Sequence, residues 1–329
     1  MGKSKIIIIS VCSAVVLALS IFLLVWFCGK TYKNFYANAT EEFAVPGLET
    51  GFTPQGLTHD TSSGNFLISG YMKDESAARV YVVSEDQDVK YFTLTINGEA
   101  YTGHCGGIAV YEEYGYIVGE KKVYIFSITD ALALDNGKSV ECLQVLDAPN
   151  GSDFINIHGG KIYIGEFYHE KKYPTDEKHH ILSTDGTNPA LTYVYDLSSS
   201  EQYYFDITSP AFVVSTTEKI QGMCITAEGN VVLSSSWSLS DSKLYIHKTL
   251  TEIGATTTYQ YNGKTVDVYV LDSSNILKTL VAPSMSEEVA LANGKVYVIF
   301  ENACAKYKTF TRHKNTSAYS FDVADLIAA

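Results

Sequence analysis

One short pattern recurs five times along the chain and constrains its fold more than any other feature. In each copy a polar or glycine residue precedes an apolar run, and a glycine turn then leads into a second apolar run. The first runs begin at Gln55-Gly56-Leu57-Thr58, Gly106-Gly107-Ile108-Ala109, Asp153-Phe154-Ile155-Asn156, Gln221-Gly222-Met223-Cys224 and Glu287-Glu288-Val289-Ala290. The turn glycines are Gly64, Gly115, Gly160, Gly229 and Gly294. The pattern predicts one β-hairpin, repeated five times.

Two more strands follow the first hairpins, so each repeat predicts a four-stranded meander. In the first repeat the predicted strands are 55–60, 65–71, 79–84 and 90–96. The 24 Tyr and 15 Phe favour strands, and the 24 Gly suit many tight turns. Four-stranded meanders repeated in this way are typical of β-propeller blades. We therefore predict an all-β propeller of five blades, with six blades as the alternative.

The later repeats contain longer connections. Insertions are predicted at 168–190 in the third repeat and at 237–264 in the fourth, the latter with a strand of its own at 243–246. The remaining outer strands are predicted at 140–146 in repeat two, 202–207 in repeat three and 266–271 in repeat four. Repeat five has no fourth strand after 317–323. Residues 42–45 have the missing length, so we predict that an N-terminal strand closes the ring and protects its edge.

An uncharged apolar run of 23 residues, 6–28, precedes these repeats. As a helix it is about 34 Å long, which is enough to span a bilayer core of about 30 Å. A cleaved signal peptide is the alternative, but the run is long for one and the Ala37-Asn38-Ala39 match lies well beyond its end. We predict a single-pass transmembrane signal anchor at 6–28, a cytoplasmic tail at 1–5, a stalk at 29–41, and a propeller at 42–329 outside the cytoplasm.

The charge of the chain bears on its partners. The net charge is −13, and Lys3, Lys5 and Lys30 are the charged residues before Thr31, so the remainder is more acidic still. Such a surface repels phosphate backbones, and nucleic acid is excluded as a partner. The four cysteines after the apolar run have no metal-type spacing. Buried thiols are favoured over a disulfide for them, although the sequence leaves both open.

Strand order predicts where a ligand would bind. In a meander the first strand begins, and the second ends, on the same face of the disc, so residues at those points surround one mouth of the central channel. The predicted mouth residues are Gln55, Tyr71, His104, Asp153, Glu166, Tyr168, Gln221, Ser236, Trp237, Glu287, Glu288 and Glu301. Amides, carboxylates and aromatic rings suit a small polar or sugar-like ligand. An envelope protein docked at the rim is the other partner expected for a non-catalytic binding module.

The order of several short motifs resembles that of uncharacterised, exported bacterial β-propellers. These motifs are Pro54-Gln55-Gly56-Leu57, Gly103-His104-Cys105-Gly106-Gly107-Ile108-Ala109, Gly165-Glu166-Phe167-Tyr168, Ile220-Gln221-Gly222-Met223, Ser286-Glu287-Glu288 and Phe300-Glu301-Asn302. More distantly the chain is similar to lactonase and gluconolactonase propellers, which hold a divalent cation, usually calcium. That resemblance implies a calcium ion among Asp153, Glu166, Glu287 and Glu301, although Gln55 and Gln221 stand where charged ligands would be expected. Five-bladed glycosidases are a third comparison, and a hydrolase that uses a cation or a carboxylate pair is therefore the alternative function.

Overall fold

The computed structural model describes residues 12–13, 15–23 and 31–328. Within these residues the chain forms five blades of four strands each, and the first strands of the blades contact one another around a central axis. The five-bladed all-β propeller is confirmed. Side chains alternate along the strands, so that one face of each blade packs on the next blade and five apolar clusters form.

The strands are given from the axis outward. Blade one is built from β2 (Phe52–Asp60), β3 (Asn65–Met72), β4 (Arg79–Val83) and β5 (Val89–Ile96). Blade two is built from β7 (Ile108–Tyr111), β8 (Tyr114–Gly119), β9 (Lys122–Ser127) and β11 (Gln144–Asp147). Blade three is built from β12 (Phe154–His158), β13 (Lys161–Gly165), β16 (Ala190–Asp196) and β17 (Phe212–Thr216). Blade four is built from β18 (Ile220–Ile225), β19 (Asn230–Ser235), β20 (Ser242–Thr249) and β23 (Ile276–Ala282). Blade five is built from β24 (Ser286–Ala292), β25 (Lys295–Phe300), β26 (Ser317–Phe321) and β1 (Thr40–Ala44).

Shorter elements are present in addition to the strands of the five blades. The additional strands are β6 (Glu99–Ala100), β10 (Ser139–Glu141), β14 (Ile181–Ser183), β15 (Gly186–Asn188), β21 (Thr257–Tyr261) and β22 (Lys264–Val270). The helices after residue 31 are α1 (Lys33–Asn38), α2 (Ile128–Ala133), α3 (Leu250–Ile253) and α4 (Val323–Ala328). Single 3-10 turns lie at Leu48–Thr50, Glu177–His179, Gln202–Tyr204 and Ser273–Asn275.

The N-terminal strand closes the ring, as the sequence predicts. Strand β1 pairs antiparallel with β26, with Thr40 opposite Ser320 and Ala44 opposite Ser317. Phe43 points from β1 into the core between blades five and one. The outer edge of blade five is therefore supplied by a segment nearly 280 residues earlier in the chain, which ties the two ends of the propeller together.

Three outer strands differ from the prediction. The third strand of blade four is β20, where Leu244 and Ile246 are fully buried, rather than 266–271. Residues 266–270 instead belong to β22, which pairs parallel with β17 and extends blade three. Both segments alternate apolar and polar residues, so periodicity alone could not distinguish a strand of the ring from a strand added to a neighbouring blade.

The outer strands of blades two and three were also predicted wrongly. The predicted strand at 140–146 is divided, because β10 pairs with β5 of blade one whereas β11 completes blade two. The fourth strand of blade three is β17 rather than 202–207. Tyr203 and Tyr204 have φ angles of 60° and 67°, which a strand does not allow, and their rings pack against Tyr114.

The hairpin turns bear out four of the five predicted turn glycines. Gly64, Gly160, Gly229 and Gly294 all have positive φ between the first two strands of a blade. Gly115 lies inside β8 instead, where a Cβ atom would collide with the ring of Phe126. The pattern therefore predicted the hairpin correctly. At this position, however, glycine is required by the nearby ring of Phe126 and not by the turn.

The segment before β1 is more ordered than a stalk. Helix α1 places Phe35 in the core, edge-to-face with Phe300 and Tyr319 at 5.7 and 5.6 Å. Residues 12–13 and 15–23 are helical and exposed. In the described part of the chain, no helix combines the length and apolar character needed to cross a membrane. The predicted cytoplasmic tail at 1–5, residues 6–11, 14 and 24–28 of the predicted anchor, and residues 29–30 of the predicted stalk lie outside the described residues.

Candidate functional site

A cavity of about 610 Å³ opens at the mouth where the first strands begin and the second strands end. Nine of the twelve predicted mouth residues line it: Gln55, Tyr71, His104, Asp153, Glu166, Gln221, Trp237, Glu287 and Glu301. Among the further lining residues are Glu120, Lys121, Phe167, Tyr173, Asp176, His179 and Tyr307. The volume falls within the range of small-molecule sites.

Glu288 lies at the axis rather than in the cavity lining. Its Oε1 accepts hydrogen bonds from the backbone N–H of Met223 at 3.1 Å and of Val289 at 3.3 Å, and it is 1% exposed. Side chains at Gly107 or Gly222 would collide with this carboxyl group. Gly107, just before the first strand of blade two, and Gly222, in the first strand of blade four, thus make room for the Glu288 side chain, which fills the channel. Burial raises the pKa of Glu288.

Glu287 and Glu301 form a hydrogen-bonded carboxyl pair on the blade-five side of the cavity. Burial raises the pKa of Glu301 to about 7, although Lys306 and the amide of Gln55 oppose the shift. The Gln55 Nε2 atom donates to Glu301 Oε2 at 3.2 Å. Burial also raises the pKa of Glu287, and the charges of Glu301 and Glu288 add to the effect. A hydrogen bond between two carboxyl groups needs a proton, and because both pKa values are raised the pair holds at least one proton near neutral pH.

An aromatic wall adjoins this pair. The ring of Tyr71 stacks on His104 with centroids 4.8 Å apart. The Nζ atom of Lys306 donates to Tyr71 Oη at 2.6 Å and lies 4.5 and 5.0 Å from the ring centroids of Tyr71 and Tyr307. Lys306 and Tyr307 belong to the 301–316 connection, which the sequence analysis did not assign to the site.

The opposite wall comes from blade three. The Oδ2 atom of Asp153 accepts from the Phe167 N–H at 2.7 Å, and burial raises the pKa of Asp153 to about 6. Glu166 is held more completely, since its Oε1 accepts from Leu191 N–H at 2.9 Å and contacts His179 Nδ1 at 2.8 Å. Glu166 therefore mainly fixes the insertion that carries His179, whereas Asp153 retains an oxygen that can face a ligand.

The blade-three insertion covers one side of the mouth through Trp237. The indole ring lies 4.3 Å from His169 and 5.8 Å from Phe167, centroid to centroid. The Lys172 Nζ atom is 5.3 Å from its centre. Tyr173 meets the same ring edge-on. The insertion at 168–190 therefore contributes side chains, including Tyr173 and His179, to the mouth.

Tyr168 and Ser236 do not line the cavity. The carbonyl of Tyr168 accepts from Lys219 N–H at 3.0 Å, and the N–H of Ser236 donates to the Lys219 carbonyl at 3.0 Å. The Tyr168 contact thus connects blades three and four beside the mouth, whereas the Ser236 contact lies within blade four. Glu120 was missed, although it follows the second strand of blade two, where the strand-end rule applied to every blade would have found it.

The four carboxylates proposed as calcium ligands do not form one ligand set. Glu287 pairs with Glu301 in blade five, whereas Asp153 and Glu166 are fixed by backbone groups of blade three. Over the described residues, no group of three or more His, Cys, Asp or Glu side chains is placed to hold a metal ion. Cys105, Cys142, Cys224 and Cys304 are free thiols, and burial of Cys105 and Cys224 agrees with the prediction.

The Glu287–Glu301 pair predicts a pH dependence of stability. The pKa of Glu301 is about 7 in the folded protein against an ordinary 4.5, so the folded state keeps a proton that the unfolded chain has released. This contribution is complete below about pH 4.5 and is lost as the pH rises through about 7. Relative to Glu301→Gln, which cannot titrate, the wild type should lose stability between pH 5 and 8.

Urea unfolding of both proteins across this range measures the difference directly. Comparison with the variant is needed because several histidines, including His59 and His247, have lowered pKa values and act in the opposite direction. Glu49→Gln, at an exposed residue that pairs with Lys308, is the matched control. A constant difference between wild type and Glu301→Gln would show that Glu301 has no raised pKa.

The fold and the site together define a class: a five-bladed β-propeller with a closed axis and a ligand-sized cavity at its mouth. No protein-family model matches the chain, and a search of curated proteins finds no match. Similar solved structures include the PQQ-bound aldose sugar dehydrogenase of Streptomyces coelicolor, with 10% identity over 86% of this chain and 97% of that chain and a TM-score of 0.46.

Two other solved structures have the same sequence identity to this chain. A GH43_1 enzyme from Xanthomonas citri has 10% identity over 87% of this chain and 91% of that chain, with a TM-score of 0.48. A gluconolactonase from Xanthomonas campestris has 10% identity over 87% of this chain and 94% of that chain, with a TM-score of 0.38. Similarity at this level assigns no activity to the present chain.

Proposed function

We propose that the propeller is a binding domain for a small polar ligand, held in the cavity at the mouth of the channel. The observation that carries this proposal is the cavity itself, about 610 Å³ in volume, with Glu288 filling the axis beneath it and Trp237 at its side. Amide and carboxyl groups around it, such as Gln221 and Asp153, can exchange hydrogen bonds with hydroxyl or amino groups.

The carboxyl geometry favours binding over glycoside hydrolysis by Glu287 and Glu301. Carboxyl groups that act on a glycosidic bond stand about 5–5.5 Å or 6.5–9.5 Å apart, because substrate or water must fit between them. Glu287 and Glu301 are hydrogen-bonded to each other, which is closer than either arrangement. They are better suited to contacting one polar group of a ligand together.

A hydrolase remains the second candidate because of Asp153. Its pKa of about 6 and its position across the cavity from Glu301 suit a general acid. Turnover of a substrate distinguishes a binding domain from a hydrolase. Lactones and glycosides incubated with the protein should remain unchanged if it only binds, whereas a hydrolase would release product and lose at least about 100-fold in rate with Asp153→Asn.

Ligand-dependent thermal stabilisation tests the binding proposal. The full-length protein is screened against metabolites and glycans, with melting followed by fluorescence. A ligand at one hundred times its Kd adds about 2.7 kcal/mol, which corresponds to a rise in Tm of roughly 5 °C for a domain of this size. No stabilisation across such a screen would count against a small-molecule site.

We further propose that the protein is exported and tethered to the cell membrane through residues 6–28, with the propeller outside the cytoplasm. The support is the sequence of that segment and the absence of a cleavage pattern close to its end. Protease added to intact cells should then remove the propeller and leave the first thirty residues protected. A mature protein that begins near residue 40 would contradict the tether.

A further inference from the structure

We infer that the ligand carries an ammonium group, which binds beside the Glu287–Glu301 pair and displaces the shared proton to solvent. This inference rests on the proposed function and names the chemical class of its ligand.

The first observation is the electrostatic surroundings of Glu287. Its side chain is 2% exposed and lines the cavity, and its principal charged or ionisable neighbours are Glu301, Glu288 and Cys304. Each of these groups disfavours the ionised form of Glu287. Lys306 acts on Glu301, the other member of the pair. A buried carboxyl without its own cation is costly to ionise, and a cation supplied by a ligand would remove that cost.

The second observation is that the aromatic walls already hold ammonium groups of the protein itself. At one wall Lys306 lies beside the Tyr71 hydroxyl and 5.0 Å from the ring centroid of Tyr307, and at the other Lys172 lies 5.3 Å from the centroid of Trp237. These distances are within the roughly 6 Å at which a cation is attracted to a ring face. Both walls therefore have the geometry that recognises an organic cation.

The charges that line the cavity also favour a cationic ligand. The acidic lining residues are Glu120, Asp153, Glu166, Asp176, Glu287 and Glu301. Lys121 is the basic residue of the lining, and His179 is paired with Glu166. An anionic ligand would be repelled, whereas a neutral polyol would gain little from the charge. A cation satisfies the surplus of carboxylates.

The proton balance of the binding step is simple. The free pair holds at least one proton between two carboxyl groups, and the ligand arrives as R–NH3+. On binding, each remaining carboxyl O–H bond breaks, its proton passes to solvent, and the ammonium group donates hydrogen bonds to the two carboxylates. The titratable and charged groups that surround the pair are Glu288 on β24, Cys304, Lys306 and Tyr307 after β25, Tyr71 on β3, and His104 before β7.

Matched probes separate charge from shape. Glucosamine is compared with glucose, and ethanolamine with ethylene glycol, because each pair differs mainly by an ammonium group in place of a hydroxyl group. Calorimetry on the full-length protein at pH 6.5, in two buffers of different ionisation enthalpy, gives the affinity and the number of protons released. The expected result is binding about tenfold tighter for each cation, with net proton release.

Three variants test the role of the pair. Glu301→Gln should reduce the preference for each cation to about twofold or less, because the amide cannot supply a second negative charge. Lys306→Met should strengthen cation binding by several-fold and leave the uncharged probes unchanged, since it removes a competing positive charge. Glu49→Gln, outside the cavity lining, should change neither. Circular dichroism checks that each variant folds, and the Lys306→Met result stands even if Glu301→Gln does not fold.

Two outcomes would overturn the inference in distinguishable ways. If uncharged and cationic probes bind equally, or cations bind without proton release, the ammonium inference fails while the binding function stands. If no probe of either pair binds, the inference fails and the proposed function loses its support as well.

Discussion

Deletion of residues 41–46 should abolish the cooperative unfolding of the propeller. These residues include most of β1, whose backbone pairs with β26 and whose Phe43 is buried between blades five and one. Without them β26 becomes an exposed edge, and the contact that joins the two ends of the chain is lost. Loss of the buried Phe43 alone is expected to cost about 3–5 kcal/mol, a large part of the stability of a typical domain.

Thermal and urea unfolding of the deletion variant measure this effect, with insoluble protein or a broad transition at reduced Tm as the expected result. A deletion of equal length at 182–187 is the matched control. It removes an exposed hairpin outside the ring, and Ile181 and Asn188, which it would join, are already paired across β14 and β15. The control should unfold as cooperatively as the wild type. Unchanged melting after deletion of 41–46 would show that ring closure does not stabilise the fold.

The inner half of each blade could be predicted from the sequence because its pattern repeats. An apolar run, a turn and a second apolar run define a hairpin without knowledge of neighbours, and the missing strand of blade five identified its N-terminal replacement. The outer strands could not be assigned in this way. Whether Val266 and Val268 complete blade four or extend blade three depends on packing against Val213, which sequence periodicity does not record.

The residues of the candidate site could likewise be predicted only in part. Strand order brought Gln55, Asp153 and Glu301 to one cavity, because a strand end has a fixed place on the disc. It could not show that Glu288 would turn to the axis, since this depends on the irregular pairing between Ser286 and Val289. Lys306 was missed because its connection has no strand pattern, and only the folded loop brings it onto Tyr71.

The central claim is that the cavity at the mouth, and not a blade edge, binds the ligand. Gln221→Ala combined with Glu301→Ala removes an amide that blade four contributes to the cavity and a carboxyl that blade five contributes, and leaves the strands unchanged. Two lost hydrogen bonds, one of them to a charged group, should weaken binding by roughly 100-fold or more. Gln144→Ala combined with Glu228→Ala changes the same residue types at exposed positions away from the cavity and should have no effect.

The measurement is the affinity of both double variants for whichever ligand the stability screen identifies, together with their Tm values. We predict that binding is weaker by roughly 100-fold or more in Gln221→Ala/Glu301→Ala, with a small change in Tm, and is retained in Gln144→Ala/Glu228→Ala. Binding that survives the cavity substitutions and disappears with the exposed ones would contradict it.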